Sequence, residues 1–572
     1  MVGVLDIDWL LEPRFTRLLD NLAASPGAFG AVRFFGALSS GEKENVFPGS
    51  SGTVWRSSDA PIDFSVTMRA LEALVTRRLV PFVGLTFFPS AVSPKPIQPP
   101  PSFDNWQTLV QAFLDQSVQR FGAAEVGRWW LEVWNEPNMP PFWGGSFDQY
   151  LDLYRATSDV VQRSGYTIRI GGPVVAYMPD EGAMLVERFL DFLHREPTVK
   201  CDFISLHRKG IWTNQEAQPD LQRSVAAARQ TAQAALRIDA DRFRGMPIIN
   251  NEADMKVAFN TPYEPRMTEQ FASWLMAQTI AYDQLNAEFS AAGFRFWAAS
   301  DNANQQLIQE PFDGRRSIMT RLDGPDDLVK VPVYGFYELL RLLQRSHGSV
   351  RNYPQSDLYH LTTTSPEAVA AVFTLYPGNS SPNPAGRQVQ FLLRDVPWQR
   401  VNIARFCIND RLSNSYAAAG RTMPVRIVNT DMTQRIRMAQ ELGVLEPIRR
   451  NVALPQGELR ESFHLQAFAT VLVWVTPFQA TPPATPQWLQ AETIDGNVML
   501  RWTPNTEPWF YSYGLQRHSP EPDTPPLSPM PLRAAAWVDR PPPGRYIYRL
   551  YAVSASGVRS ETVMSQEIAV SS

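Results

Sequence analysis

Two cysteines in 572 residues, Cys201 and Cys407, are too few and too far apart for a disulfide framework or a paired-cysteine metal site. Histidine is nearly as scarce. The six histidines show no HExxH and no clustered ligand spacing, so the sequence predicts no structural or catalytic metal and no cofactor. Lysine occurs six times, so most of the 53 basic residues are arginine, interspersed with 57 acids for a net charge of −4. The concentrated basic face of a nucleic-acid binder is missing. No apolar run reaches the ~20 residues that a membrane helix requires. The N-terminal stretch Met1–Trp9 has neither the basic start nor the long apolar core of a secretion signal, so a cytoplasmic location is the expectation. Nothing in the composition specifies an oligomeric state.

What is present is ample material for packed cores: 44% of the chain is apolar, 11% of the chain is aromatic, and its length suggests several domains. Up to about residue 345, short β-branched or aromatic runs alternate with stretches whose apolar residues recur three or four apart. The strands read as Val2–Ile7, Ala31–Phe35, Val80–Leu85, Trp130–Trp134, Thr167–Gly171, Phe203–Leu206, Pro247–Asn250 and Phe294–Ala298. Helical stretches between them include Phe64–Arg77, Asn105–Phe121, Phe147–Ser164, Asp220–Leu236 and Thr268–Ala287. This pattern predicts an α/β fold, a (β/α)8 TIM barrel over residues 1–350. Strand-like runs then suggest a β-sandwich over 351–476, and a Pro-rich linker follows at 477–486. Over 487–572, Trp502 on an early strand and paired tyrosines on a late one look like a fibronectin type III module.

The motif Trp134-Asn135-Glu136-Pro137-Asn138 ends the apolar run Trp129–Val133, and Asn250-Asn251-Glu252-Ala253-Asp254 ends another. In a barrel these are the fourth and seventh strands, and the C-terminal ends of strands carry catalytic groups to the mouth. A single Asn-Glu-Pro is as readily a helix cap. Two such carboxylates on one mouth are what glycoside hydrolysis needs, one to protonate the leaving oxygen and one to attack the anomeric carbon or activate water. His207, Arg208 and Lys209 follow the sixth strand, and Asp301 and Asn302 the eighth. A cationic trio beside two acids suits a substrate with its own carboxylate.

These motifs resemble glycoside hydrolase family 39, which holds β-xylosidases and α-L-iduronidases. Ser205-Leu206-His207-Arg208-Lys209-Gly210 and Ser300-Asp301-Asn302-Ala303 look like its α-L-iduronidase branch. The resemblance implies Glu136 as general acid/base, Glu252 as nucleophile and Asn135 as partner of the sugar 2-hydroxyl. It implies His207, Lys209 and Asp301 along the sugar subsite, with Lys209 toward a uronate carboxylate. A later Arg completes that contact in the family, and both Arg316 and Arg315 fit the position. The chain departs from the family at the early strands, where Phe34-Phe35-Gly36 and Thr86-Phe87-Phe88-Pro89 carry no His. Phe142 and Trp143 either form an aromatic platform beside Glu136 or pack beneath its loop.

The resulting expectation is a retaining exo-glycosidase for a terminal α-L-iduronide or related uronide, with a carbohydrate as the only partner called for. The alternatives are a β-xylosidase or other neutral-sugar enzyme of the same family, and a binding protein that has lost catalysis. Lys209 and the two arginines speak against the first, since a pentose has no carboxylate for them. The presence of both glutamates speaks against the second.

Overall fold

The computed structural model describes the chain except for Leu5, residues 40–53, 179–180, 213–218, 258–260, 301–303, 305–306, 308–309, 323–326, 344–346, 351–356, 378–384, 428, 495, 519–525, 529–530 and 572, and the side chains of 347–350. The chain divides into two compact units. One comprises Met1–Thr16, Gly30–Phe259 and Ala281–Asn304; the other comprises Arg17–Phe29, Asn260–Ile280 and Gln305–Ser572.

The first unit is built on eight parallel strands that follow one another in sequence order: β1 (Val2–Gly3), β2 (Ala31–Phe34), β3 (Val80–Leu85), β4 (Trp130–Val133), β5 (Arg169–Ala176), β6 (Phe203–His207), β7 (Pro247–Asn250) and β8 (Arg295–Ala298). In a flat sheet β2 and β7 would lie about 24 Å apart, at roughly 4.8 Å per strand. Yet Arg33 on β2 reaches Glu252, just past β7, at 3.0 Å. The sheet therefore curls on itself, as in a TIM barrel. Past β8, the Asn304 carboxamide donates to the Gly3 carbonyl of β1 at 2.8 Å, tying the last segment to the first. Inside, Phe82, Phe203 and Ile249 pack with Trp130 and Met1 in an apolar layer, with Phe82 stacked on Trp130 at 5.9 Å.

Helices in this unit follow the expected periodicity. Phe147–Arg163 starts at a capping box formed by Ser146 and Gln149, and buries Tyr150, Leu153, Tyr154, Val160 and Val161. Asp104–Phe121 buries Trp106, Leu109, Val110, Phe113 and Leu114 on one face. Two strands differ from the reading of the sequence by more than one residue at an end. β1 stops at Gly3, because Asp6 caps a 3-10 turn at Ile7–Leu11 by accepting from the Asp8 amide at 3.1 Å. β5 runs on through Gly172 and Pro173, which look like breakers. A register shift between Pro173 and Val175 absorbs them while pairing with β6 continues.

In the second unit, a seven-stranded antiparallel sheet carries the order His347–Val350, Leu358–Thr364, Val369–Leu375, Thr470–Pro477, Arg400–Ile408, Gly443–Val444, with Arg449–Ala453 also on Arg400–Ile408. A two-stranded ribbon, Arg387–Leu393 with Leu459–Leu465, shares its core through Val389, Phe463 and Leu465. Further along are a three-stranded sheet (Trp488–Ile494, Asn497–Trp502, Ala536–Asp539) and a four-stranded one (Phe510–His518, Gly544–Ser554, Val563–Met564, Ile568–Val570). Trp502, Tyr513 and Tyr548 lie in the core between them. Among the described residues, no helix is long and apolar enough to cross a membrane.

Candidate active site

The end of β4 explains how a greasy strand presents an acid. Trp134 and Glu136 both take positive φ, 74° and 44°, a sparsely populated region for residues with a Cβ. These kinks break the two-residue alternation of the strand. Trp134 turns away from the mouth and packs against Phe87, Phe88, Trp106 and Trp143, its indole N–H donating to the Phe142 carbonyl at 2.9 Å. Trp143 is buried in that cluster, so it packs beneath the loop rather than forming a platform; Phe142 is half-buried. Such strain, on the order of 1–3 kcal/mol per residue, persists only where the surroundings impose it.

Asn138 helps to impose it. Asn138 accepts from the Ala176 amide (2.9 Å) and donates to the Ala176 carbonyl (3.0 Å), clipping the loop after β4 to the end of β5. The Glu136 amide donates to the Val174 carbonyl at 3.0 Å. Asn250 repeats the device after β6: it accepts from the Arg208 amide (3.0 Å) and donates to the Arg208 carbonyl (2.8 Å). Below, Tyr150 donates to the Val133 carbonyl at 3.2 Å, and burial, reinforced by Glu132, pushes its phenol well above the ordinary range. It remains a donor.

The mouth is organised by a residue that the reading of the sequence did not single out. Arg33 donates to Glu132 (2.8 Å), to Glu252 Oε1 (3.0 Å), to Asn135 Oδ1 (3.1 Å) and toward His207 Nε2 (3.1 Å). A guanidinium only donates, so Nε2 of His207 accepts and the ring proton sits on Nδ1. That Nδ1–H then points at Glu136 Oε1 (2.8 Å), with Glu252 Oε1 at 3.4 Å. Lys209 Nζ lies 2.5 Å from Glu252 Oε2 and 3.8 Å from Glu136 Oε1. Glu132, on β4, also accepts from the Asn251 carboxamide at 2.5 Å. Arg33, Glu132, Asn135, Glu136, His207, Lys209, Asn251 and Glu252 are all buried.

Glu136, Glu252, Asn135, His207 and Lys209 are thus brought together. Asp301 lies outside the described residues. Arg315 and Arg316 belong to the second unit. There Arg315 pairs with Asp313, whose carboxylate accepts from its amide (3.0 Å) and its guanidinium (2.9 Å), and Arg316 is fully buried. Arg33 and Glu132 had a signal: each is a lone charge inside an apolar strand, and an unpaired buried charge is too costly to leave without a partner.

Carboxylate oxygens of Glu136 and Glu252 and a ring nitrogen of His207 lie within 4.8 Å of one another, which among the described residues is a group able to hold a metal ion. The donors are already committed to protein cations: Glu252 to Lys209 and Arg33, and His207 Nε2 to Arg33. A divalent ion would be placed against two positive charges.

The family model of glycosyl hydrolases family 39 matches residues 51–383, more than half of the chain. The chain belongs to glycosyl hydrolase family 39. A β-xylosidase of Caldicellulosiruptor saccharolyticus is 29% identical over 166 residues, covering 27% of this chain and 33% of that protein. An α-L-iduronidase of Mus musculus is 25% identical over 432 residues, covering 70% and 66%. The chain therefore spans about a third of the β-xylosidase and just under two thirds of the iduronidase. A solved structure described as the bacterial orthologue of human α-L-iduronidase matches at a TM-score of 0.81 and 21% identity, covering 99% of this chain and 96% of that one. At that identity the match speaks for a shared fold.

Proposed function

We propose that this family 39 protein is a retaining exo-glycosidase acting on a terminal α-L-iduronide or related uronide. The observation that supports the reading is that a carboxylate oxygen of Glu136 and one of Glu252 lie within 4.8 Å of each other. Retaining enzymes hold their two carboxyl groups about 5–5.5 Å apart, whereas inverting ones leave roughly 6.5–9.5 Å for a water.

The charges favour one assignment of roles. Three carboxylates (Glu132, Glu136, Glu252) face two cations, Arg33 and Lys209, so one proton shared among the acids makes the buried cluster neutral. Glu132 and Glu252 are each paired with Arg33, and Glu252 also with Lys209. Glu136, bonded to a neutral imidazole N–H and 3.8 Å from Lys209, is the natural holder of the proton. An oxygen of Glu252 then bonds to the anomeric carbon as the bond to the leaving oxygen breaks, and the Glu136 proton passes to that oxygen. Water next attacks the anomeric carbon, gives its proton to Glu136 and releases the Glu252 carboxylate. Asn135, positioned by Arg33, is offered to the 2-hydroxyl, a contact that strengthens in the transition state.

Lys209 supports the uronide, because a buried ammonium at the mouth finds a natural partner in a substrate carboxylate. The β-xylosidase reading is kept by the 29% identity to that relative. The three- and four-stranded C-terminal sheets support reading them as a type III-like module.

A panel of 4-methylumbelliferyl glycosides tests the substrate. Turnover of the α-L-iduronide is expected, and turnover of the β-D-xyloside with no uronide would refute it. For the mechanism, Glu252→Ala and Glu136→Ala should each lose activity. Azide should restore Glu252→Ala with formation of the azide of opposite anomeric configuration, and Glu136→Ala with the retained one, as read by NMR. Inversion by the intact protein would remove Glu252 as nucleophile.

A further inference from the structure

Lys209 stands in the way of the chemistry it is expected to serve. Its ammonium contacts Glu252 Oε2 at 2.5 Å and lies 3.8 Å from Glu136 Oε1, so it bridges the gap between the two carboxylates. In a retaining reaction the anomeric carbon and the leaving oxygen must occupy that gap. While the ammonium is there, the Glu252 oxygen it holds is stabilised as an anion and cannot approach a sugar carbon. Arg33 binds the other oxygen, Oε1, at 3.0 Å from the opposite side of the mouth. Arg33 is fixed by Glu132 as well, so it stays in place. Lys209 is the cation that can leave. Its flexible stem carries a compact charge, and the Trp212 ring lies 5.7 Å from Nζ, within cation–π range.

We infer that Lys209 locks the nucleophile through its bridge between Glu252 and Glu136, and that a carboxylate on the bound sugar releases the lock. This rests on the uronide reading above and extends it. Lys209 then discriminates twice. It attracts the uronate, and it leaves Glu252 restrained when the sugar is neutral. The comparison is well posed chemically, because a β-D-xyloside is an α-L-iduronide whose C5 carboxylate is replaced by hydrogen. A pentose presents the same ring and the same reacting bond but brings nothing to draw the ammonium off Glu252. No covalent step is added: an ion pair within the protein is exchanged for one with the substrate.

The test uses the full chain and 2-deoxy-2-fluoro-β-D-xylosyl fluoride, a neutral reagent that traps the nucleophile by forming a glycosyl ester as fluoride leaves. Labelling is followed by intact mass and mapped to a residue. In the unmodified protein, labelling of Glu252 should be slow, and acetate should accelerate it over chloride at matched ionic strength by roughly tenfold, the factor given by 1.4 kcal/mol. Lys209→Met should label faster and lose its response to acetate, while its kcat/KM on the α-L-iduronide falls by about a hundredfold or more, as for truncating a buried charge pair. Equal or slower labelling of Lys209→Met, together with no acetate effect on the unmodified protein, would overturn the lock and leave the uronide reading standing, provided iduronide is still turned over. If Lys209→Met does not fold, the acetate response of the unmodified protein decides by itself. Labelling elsewhere than Glu252, with no uronide turned over, would overturn both readings together.

Discussion

Arg33 is the residue on which most of the mouth depends. It joins Glu132, Glu252, Asn135 and His207 through a planar fork whose directions are set by guanidinium geometry. Lysine carries the same charge but is a point donor on a floppy stem. Arg33→Lys should therefore keep the fold and lower kcat by about a hundredfold, the scale of losing one preorganised donor. Unchanged kcat would show that the contacts of Arg33 are incidental to catalysis. Arg33→Leu is a harsher change. It leaves Glu132 and Glu252 short of a cation and should cost about 3–5 kcal/mol of stability, measured by urea denaturation.

At the scale of elements, the strands deliver the acids but the asparagines aim them. Asn138 ties the loop after β4 to Ala176, and Asn250 ties the loop after β6 to Arg208. Each satisfies one backbone N–H and one backbone carbonyl that are buried at a strand end. Asn138→Ala should destabilise by about 1–3 kcal/mol, the cost of leaving such groups unpaired. The left-handed backbone at Trp134 and Glu136 also loses its restraint in this variant, so kcat should fall while KM changes little. A variant with full kcat and reduced Tm would make Asn138 purely structural. Much of this layer is legible before folding. The alternation of strands and helices appears in the apolar spacing, and the Asn-Glu pairs stand out at the ends of apolar runs. The paired roles of Asn138 and Asn250 are not legible, because a loop asparagine in sequence looks the same whether it caps a turn or bridges two strands. The ribbon strand Leu459–Leu465 is a different case. Its alternating burial, Leu459, Glu461, Phe463 and Leu465 inward, is a period-two pattern available in the sequence and broken only by the charge at Glu461. That charge is paired with Arg405 and Arg449.

Across the whole molecule, the second unit holds its own buried charge cluster, remote from any reading of function. Lys330 Nζ contacts Glu338 at 3.1 Å and Glu441 at 2.9 Å, all three buried. Burial raises the Glu441 carboxyl, and Lys330 pulls it back down; Glu338 and Glu441 together hold Lys330 charged. A lysine raised above its unfolded value of about 10.4 contributes stability fully below that value, and loses it only as pH rises through the folded one. Lys330→Met should therefore cost about 3–5 kcal/mol near neutrality. Without Lys330 the Glu441 carboxyl rises further. A carboxyl that is higher when folded contributes stability below its unfolded value, about 4.3, and loses it as pH climbs through the folded value. The deficit of Lys330→Met in urea or thermal melts should consequently be larger at pH 8 than at pH 5, and a pH-independent deficit would contradict this account.

The sequence by itself determined the class of fold, the order of the eight strands and the residue types that reach the mouth, because strand alternation, helical spacing and charges at the ends of apolar runs are local properties. It also carried the family, through two short motifs. Only the tertiary structure decided which charges meet. Arg33 and Glu252 are 219 positions apart, and their pairing exists because the sheet curls until β2 faces β7. The same curvature turns Glu132 from an anomaly in a greasy strand into a counter-ion. It also turns Lys209 from one basic residue among three into the cation lying between two carboxylates. Local patterning selects elements; long-range electrostatics, which act only after the chain closes on itself, select partners.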